Sequence, residues 1–227
     1  MPQTRSSQGP VIRVGECTLR LGRDEDVPAI LRHFRANKNH LGPFSPVYPA
    51  DFFTSAFHLK RVQKSRAEFE AGTSLRLYIF RDLVSRNAVG SREKKSPTSS
   101  KKIIHESALP EVIGTIGFGE FSRGAFQACY LGYGLSKSEQ GKGIMLRCVQ
   151  AALTYVFEKM HIHRIMANYL PRNTRSGNLL RRLGFVIEGV AREYLQINGV
   201  WEDHILTSLT NQRWKPAPLP LIKLPHP

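Results

Sequence analysis

No stretch of the 227-residue chain holds eighteen consecutive apolar residues, about the length a membrane-spanning helix needs. The basic N-terminus is not followed by an apolar segment, so no secretory signal is read and a cytoplasmic, membrane-free chain is expected. Only three cysteines occur, Cys17, Cys129 and Cys148, odd in number and without metal-ligand spacing. They read as buried thiols in a reducing compartment. His161 and His163 stand two apart beside Arg164, with no cysteine or carboxylate cluster, so no metal is expected. Neither a P-loop nor a three-glycine dinucleotide fingerprint is present, and no internal repeat is found.

Acid is also scarce. Eighteen acidic residues face 33 lysines and arginines, a net charge of +15. Such an excess favours an anionic partner, nucleic acid or a ribonucleoprotein. Much of it lies in residues 85–102, where Arg86, Arg92, Lys94, Lys95, Lys101 and Lys102 face only Glu93. Serines, a glycine and a proline accompany them, and the segment reads as a basic insertion. It is either a solvated excursion without its own role or an electrostatic tether to RNA.

A hydrophobic fraction of 41% is enough for one packed domain, expected over residues 17–211. A leader over 1–16 and a proline-rich tail over 212–227 flank it. The pattern predicts a strand over 18–21 and a helix capped by Asp24, with Val27, Ile30, Leu31 and Phe34 on one side. Residues 37–49, rich in proline and aromatics, look too broken for regular structure. A helix over 50–71, a strand over 75–80 and a strand over 111–121 follow. Then come a strand over 128–135, a helix over 144–160, a strand over 164–169 and a helix over 174–183. Strands over 185–197 and 200–209 close the series around Asn198-Gly199, a strong hairpin signal. The order implies an α/β layered domain with a mixed central sheet.

Residues 140–145, Gln140-Gly141-Lys142-Gly143-Ile144-Met145, sit where strand 128–135 gives way to helix 144–160. A glycine-rich turn entering a helix leaves N–H groups unpaired, and the helix dipole adds positive potential. That suits a phosphate or pyrophosphate. Glycine lets the backbone approach a ligand without an intervening Cβ. About thirty residues on, Asn173 has the chemistry of an N-cap for a helix carrying Ser176, Leu179, Leu180 and Leu183, with Gly184 at its end.

Together these elements resemble the GNAT acetyltransferase superfamily. Its coenzyme loop reads [QR]-x-x-G-x-[GA]; Gln140 and Gly143 match it, and Met145 replaces the final small residue. That departure, with residues 161–185 and the run Asn198-Gly199-Val200-Trp201-Glu202-Asp203-His204, resembles the RimJ-type branch, which acts on alanine N-termini of ribosomal proteins. The resemblance implies a mostly antiparallel GNAT sheet whose strands 129–135 and 164–169 splay around acetyl-CoA. It implies that the amides of Gly141, Lys142, Gly143, Ile144 and Met145 hold the pyrophosphate. Tyr133, Gly134 and Leu135 would pair with pantetheine, and Asn173 would touch the coenzyme. Residues 40–48 would lie over the acceptor.

The same resemblance makes Ser176 a proton donor near the thioester sulfur, although it also reads as a hydroxyl serving its own helix backbone. Relatives that use a tyrosine as acid carry it at the position of Leu180, so that group is absent. Those with a glutamate base five residues before the asparagine carry it where this chain has Asn168, which cannot be a base. Glu188, Glu193, Glu202 and Asp203 on the final hairpin remain. Glu193 is the candidate base, with a pairing to a nearby arginine or a water relay as alternatives. The expected reaction is acetyl transfer to a ribosomal protein N-terminus, by a monomer or homodimer. Two other readings stay open: transfer to a small amine or antibiotic, and a ribosome- or RNA-binding assembly factor on the same scaffold.

Overall fold

The computed structural model describes residues 9–82 and 110–216. Eight strands form one sheet in the order β1-β2-β3-β4-β5-β6-β8-β7. They are β1 (Val11–Val14), β2 (Cys17–Arg20), β3 (Leu75–Arg81), β4 (Glu111–Ser122), β5 (Ala128–Leu135), β6 (Arg164–Met166), β7 (Val186–Ile197) and β8 (Val200–Thr210). The helices are α1 (Val27–Ala36), α2 (Lys38–Leu41), α3 (Ser55–Glu70), α4 (Ile144–Lys159) and α5 (Thr174–Arg182). Every neighbouring pair is antiparallel except β5 and β6. A parallel pair needs a crossover, and α4 lies in that connection.

Both faces of the sheet are covered, which explains why β3 reads as a nearly continuous apolar run. Leu75, Leu77 and Ile79 pack with Ile144, Cys148, Val149 and Val156 of α4. The alternate residues Tyr78 and Phe80 pack with Ile30 and Phe34 of α1 and Val62 of α3. One strand thus serves two cores through its two-residue period.

The structure corrects several local readings. Residues 1–16 are not wholly a leader, because Val11–Val14 pairs with β2. The strand is only Val11-Ile12-Arg13-Val14, too short for a period to stand out although three of its residues are apolar, and its side chains alternate between exposed and half-buried. Residues 37–49 contain α2 and a further turn over Gly42–Phe44. The helix expected from residue 50 starts at Ser55, where Thr54 Oγ1 accepts from the Phe57 amide. Asp24 does not cap α1; it sits in a preceding 3-10 turn and pairs with Arg66 and Gln63 of α3. The strand expected over 164–169 stops at Met166, with Tyr169 making one bridge to Ile205. In the tail, residues 211–216 fold back, and Trp214 donates to the His161 carbonyl and lies against both His161 and His163. The basic stretch 85–102 and tail residues 217–227 lie outside the described residues.

One glycine governs how closely β4 meets β5. A Cβ on Gly114 would stand 2.7 Å from the Gly134 carbonyl oxygen and 3.1 Å from Ile79 and Leu135. The backbone atom has no room to retreat without spreading the two strands. Gly114→Ala is expected to lower stability by about 2–3 kcal/mol in urea unfolding, as overpacked cores do. Gly117→Ala, whose Cβ would meet nothing closer than 3.9 Å, should stay within about 0.5 kcal/mol.

Candidate active site

The site is built where the sheet opens. β5 and β6 pair only over Ala128↔Arg164, Cys129↔Ile165 and Tyr130↔Met166. β5 continues to Leu135, still paired with β4 on its other side through Gly114↔Leu135. Residues 131–135 therefore have no strand partner on the β6 side among the described residues. Their backbone edge, at Tyr133, Gly134 and Leu135, is the kind of strand edge that an amide-bearing ligand can extend.

At the end of that edge stands the glycine turn. Gly141 and Gly143 adopt φ of +78° and +70°, a left-handed backbone that β-carbons disfavour. Gly143 is the N-cap of α4 and, being glycine, brings no side chain to cap it. The first-turn amides of a sixteen-residue helix therefore face outward. The side chains of Ile144 and Met145 are buried in the core, so only their amides face the turn. This also accounts for Met145 in place of a small residue: it fills space beneath α4.

Gln140 does more than match a pattern. Arginine can only donate, so the Arg175 guanidinium fixes Oε1 of Gln140 on its side. The amide nitrogen then faces His40 Nε2 at 2.9 Å and donates to it. Burial, with Lys137 and Arg175 nearby, holds the His40 pKa below its usual value, which keeps that nitrogen an acceptor. One side chain thus ties α2, the glycine turn and α5 together. Lys142 is held by Glu139 at 3.1 Å, and Glu139 also pairs with Arg81.

Asn173 caps α5, its Oδ1 accepting from the Ser176 amide at 3.2 Å. The Ser176 hydroxyl lies 2.8 Å from the Tyr133 phenol oxygen. Burial pushes the Tyr133 pKa up to about 12, so the phenol stays protonated near neutrality. A Cβ on residue 177 would sit 2.7 Å from the Tyr169 ring, so Gly177 lets that ring press against the first turn of α5. A groove of about 640 Å³ lies on a flank of α5, lined by Thr174, Asn178, Ile187 and Thr207 among others, and by none of residues 140–145.

Glu193 is exposed and sits in a bulge where β7 slips against β8 between Ala191 and Leu195. Its φ is +46°, uncommon for a residue with a β-carbon. Asp203 accepts from the Glu193 amide at 2.8 Å, while the Glu193 carboxylate takes no bond or ion pair from the described residues. The other candidates are engaged: Glu188 with Arg164 and Ser208, and Glu202 with Arg172 at 2.7 Å. The structure does not bring Glu193 into hydrogen-bond contact with Ser176.

Sequence reasoning missed two features. Next to Glu193, the Tyr194 phenol accepts from Asn168 Nδ2 at 3.1 Å. The loop after α2 is clamped at two places: Asn198 N, in the turn of the β7–β8 hairpin, donates to the Ser45 carbonyl, and Arg172, just before α5, donates to that of Pro43. The loop contacts join residues more than a hundred positions apart, for which a single sequence carries no signal.

A profile of the acetyltransferase (GNAT) domain matches residues 17–186. The [ribosomal protein uS5]-alanine N-acetyltransferase of Escherichia coli is 54% identical over 107 residues, 47% of this chain and 55% of that protein. The match thus spans about half the length of that curated relative. A ribosomal-protein-S5-alanine acetyltransferase structure from Vibrio fischeri superposes with a TM-score of 0.76 at 33% identity, over 91% of this chain and all of that one. RimJ of Mycobacterium smegmatis, solved with CoA-disulfide, superposes at 0.70 with 27% identity, over 88% of this chain and 86% of that one. Profile, sequence and fold agree that the chain belongs to the GNAT acetyltransferase family.

Proposed function

We propose that the chain transfers acetyl from acetyl-CoA to the N-terminal amine, an alanine, of a small-subunit ribosomal protein. The observation that carries the reading is the unpaired β5 edge running from the outward amides of α4 to the Ser176 hydroxyl. The amides of residues 141–145 hold the pyrophosphate, and residues 133–135 pair with pantetheine. The acceptor class rests on the relatives, which act on alanine of uS5. The excess of positive charge supports approach to an RNA-rich particle and disfavours small cationic amines.

A protein α-amino group has a pKa near 8, so only mild base assistance is needed. Glu193 takes that role: of the hairpin carboxylates it alone is uncommitted, and its left-handed backbone in a bulge is the kind of strain that active sites retain. Ser176 supplies the proton that the leaving thiolate needs.

The test is mass spectrometry of a peptide beginning with alanine after incubation with acetyl-CoA. One acetyl group is expected on the α-amine, and a panel of small amines and antibiotics should remain unmodified. Absence of peptide modification would remove the reading. Ser176→Ala is expected to lower kcat about 100-fold with KM for acetyl-CoA changed less than about twofold, measured by thiol release.

A further inference from the structure

We propose that Tyr133 is a positioning residue that turns the Ser176 hydroxyl toward the thioester sulfur and refills its proton. The inference rests on the reading above and adds a side-chain role to a residue whose backbone alone was assigned. The Tyr133 oxygen is 2.8 Å from Ser176 Oγ and 3.4 Å from the Ser176 carbonyl oxygen. Either hydroxyl can donate across the 2.8 Å contact, and the phenol proton can also reach the Ser176 carbonyl at the longer 3.4 Å. A phenol is a stronger donor and a weaker acceptor than an aliphatic alcohol, so we place the proton between the two oxygens on Tyr133. The Ser176 hydrogen is then free to point elsewhere. Without the phenol, a serine in the first turn of a helix folds its hydroxyl back onto backbone carbonyls. Asn173 occupies the Ser176 amide, so the hydroxyl is the one polar group of Ser176 left to face a ligand.

The arrangement also meets a difficulty of the chemistry. The amine nitrogen attacks the thioester carbon, and the tetrahedral intermediate collapses as the C–S bond breaks with its electron pair on sulfur. If Ser176 alone gave its proton to sulfur, it would be left as an alkoxide, a far stronger base than a thiolate. With Tyr133 behind it, the Ser176 proton passes to sulfur as the Tyr133 proton passes to Ser176 Oγ. The charge rests briefly on the phenolate, which burial makes a stronger base than a thiolate but which the ring keeps far weaker than an alkoxide, and water returns the proton. The proton lost by the amine leaves through the base. Burial keeps the phenol in its donor form across the working range. Chains of hydroxyls polarise one another, so the pair is a better donor to sulfur than either alone. Leu180, where other family members carry a tyrosine, is buried in the core here. The phenol reaches the first turn of α5 from the neighbouring strand instead.

The test separates this from the general reading. Calorimetry first establishes whether CoA binds wild type, Tyr133→Phe and Ser176→Ala alike; loss of binding in wild type would overturn both. The ultraviolet thiolate band of bound CoA is then titrated against pH. A donor aimed at sulfur stabilises the thiolate. Bound CoA should therefore ionise about tenfold less readily on either variant than on wild type, with no further change in the double variant. Turnover should follow the same pattern. Tyr133→Phe should lose about 10- to 100-fold in kcat with KM for acetyl-CoA held, and the double variant should be no slower than Ser176→Ala. An unchanged thiol titration in Tyr133→Phe, or losses that multiply in the double variant, would overturn the proposal and leave CoA binding by the chain intact.

Discussion

Gly143→Val is expected to weaken CoA binding by about two to three orders of magnitude while leaving the fold in place. Gly143 caps α4 with φ of +70°, a region that costs an ordinary residue about 1–2 kcal/mol and a β-branched one more. The strained valine can relax only by unwinding the turn, which scatters the amides proposed to hold the diphosphate. If the turn does not unwind, the valine methyls occupy the space into which those amides point. Among the described residues, the one close neighbour of the new Cβ is the Arg147 guanidinium at 3.1 Å, the far end of a flexible side chain. Overpacking therefore contributes little, and the loss should fall on the ligand. Calorimetric titration with CoA reads the effect, and circular dichroism checks that α4 persists. Gly189→Ala, at a position with open space and no positive φ, serves as the control. A wild-type dissociation constant in Gly143→Val would show that the turn does not hold the coenzyme.

The second large effect is a loss of stability between pH 6.5 and 4. Two histidines, His33 of α1 and His58 of α3, are buried. His33 sits 3.0 Å from Ser136 Oγ, and burial pushes its pKa down to about 4. His58 stacks on Phe34 with Phe52 and Phe57 around it; burial, then the Arg61 cation, lower it to about 4. Both folded-state values lie below the unfolded value near 6.5. The unfolded chain therefore binds protons that the native one refuses, and stability falls as pH drops through this window. For His33 the gap corresponds to about 3 kcal/mol, fully present above pH 6.5 and exhausted near pH 4. Carboxylates do not mimic the effect over most of that range. Ordinary carboxylate values lie near its lower end, and Asp24, held lower by Gln63 and Arg66, and Glu188, held lower by Arg164 and Ser208, move further from the histidine window. Urea midpoints measured from pH 7 to 4 should fall steeply in wild type. They should fall much less in a His33→Gln, His58→Phe variant, in which neither side chain titrates. Equal slopes would show that these histidines do not drive the loss.

The two predictions differ in how much of their basis was legible beforehand. The glycine turn, the Asn173 cap and the Asn198-Gly199 hairpin are local: turn geometry and capping depend on a few adjacent residues. The long helix α4 announces itself by apolar periodicity, and β3 to β5 by strand composition. β1 escaped notice because a short edge strand with half-exposed side chains resembles a loop. The strand after His163 was read three residues too long, since nothing in its letters marks where β6 leaves β5.

By itself, then, the sequence determined the order of most elements, their approximate bounds, the glycine turn entering α4 and the family. Propensity, capping and periodicity act over one or two turns of chain, and the letters carry them. Only the tertiary structure decided the splay of β5 from β6 and the commitment of Glu188 and Glu202 to arginines. It alone brought Tyr133 to Ser176 across 43 positions and Gln140 between His40 and Arg175. Those contacts depend on how strands twist and which faces pack, and distances of that kind exist only once the chain has closed on itself.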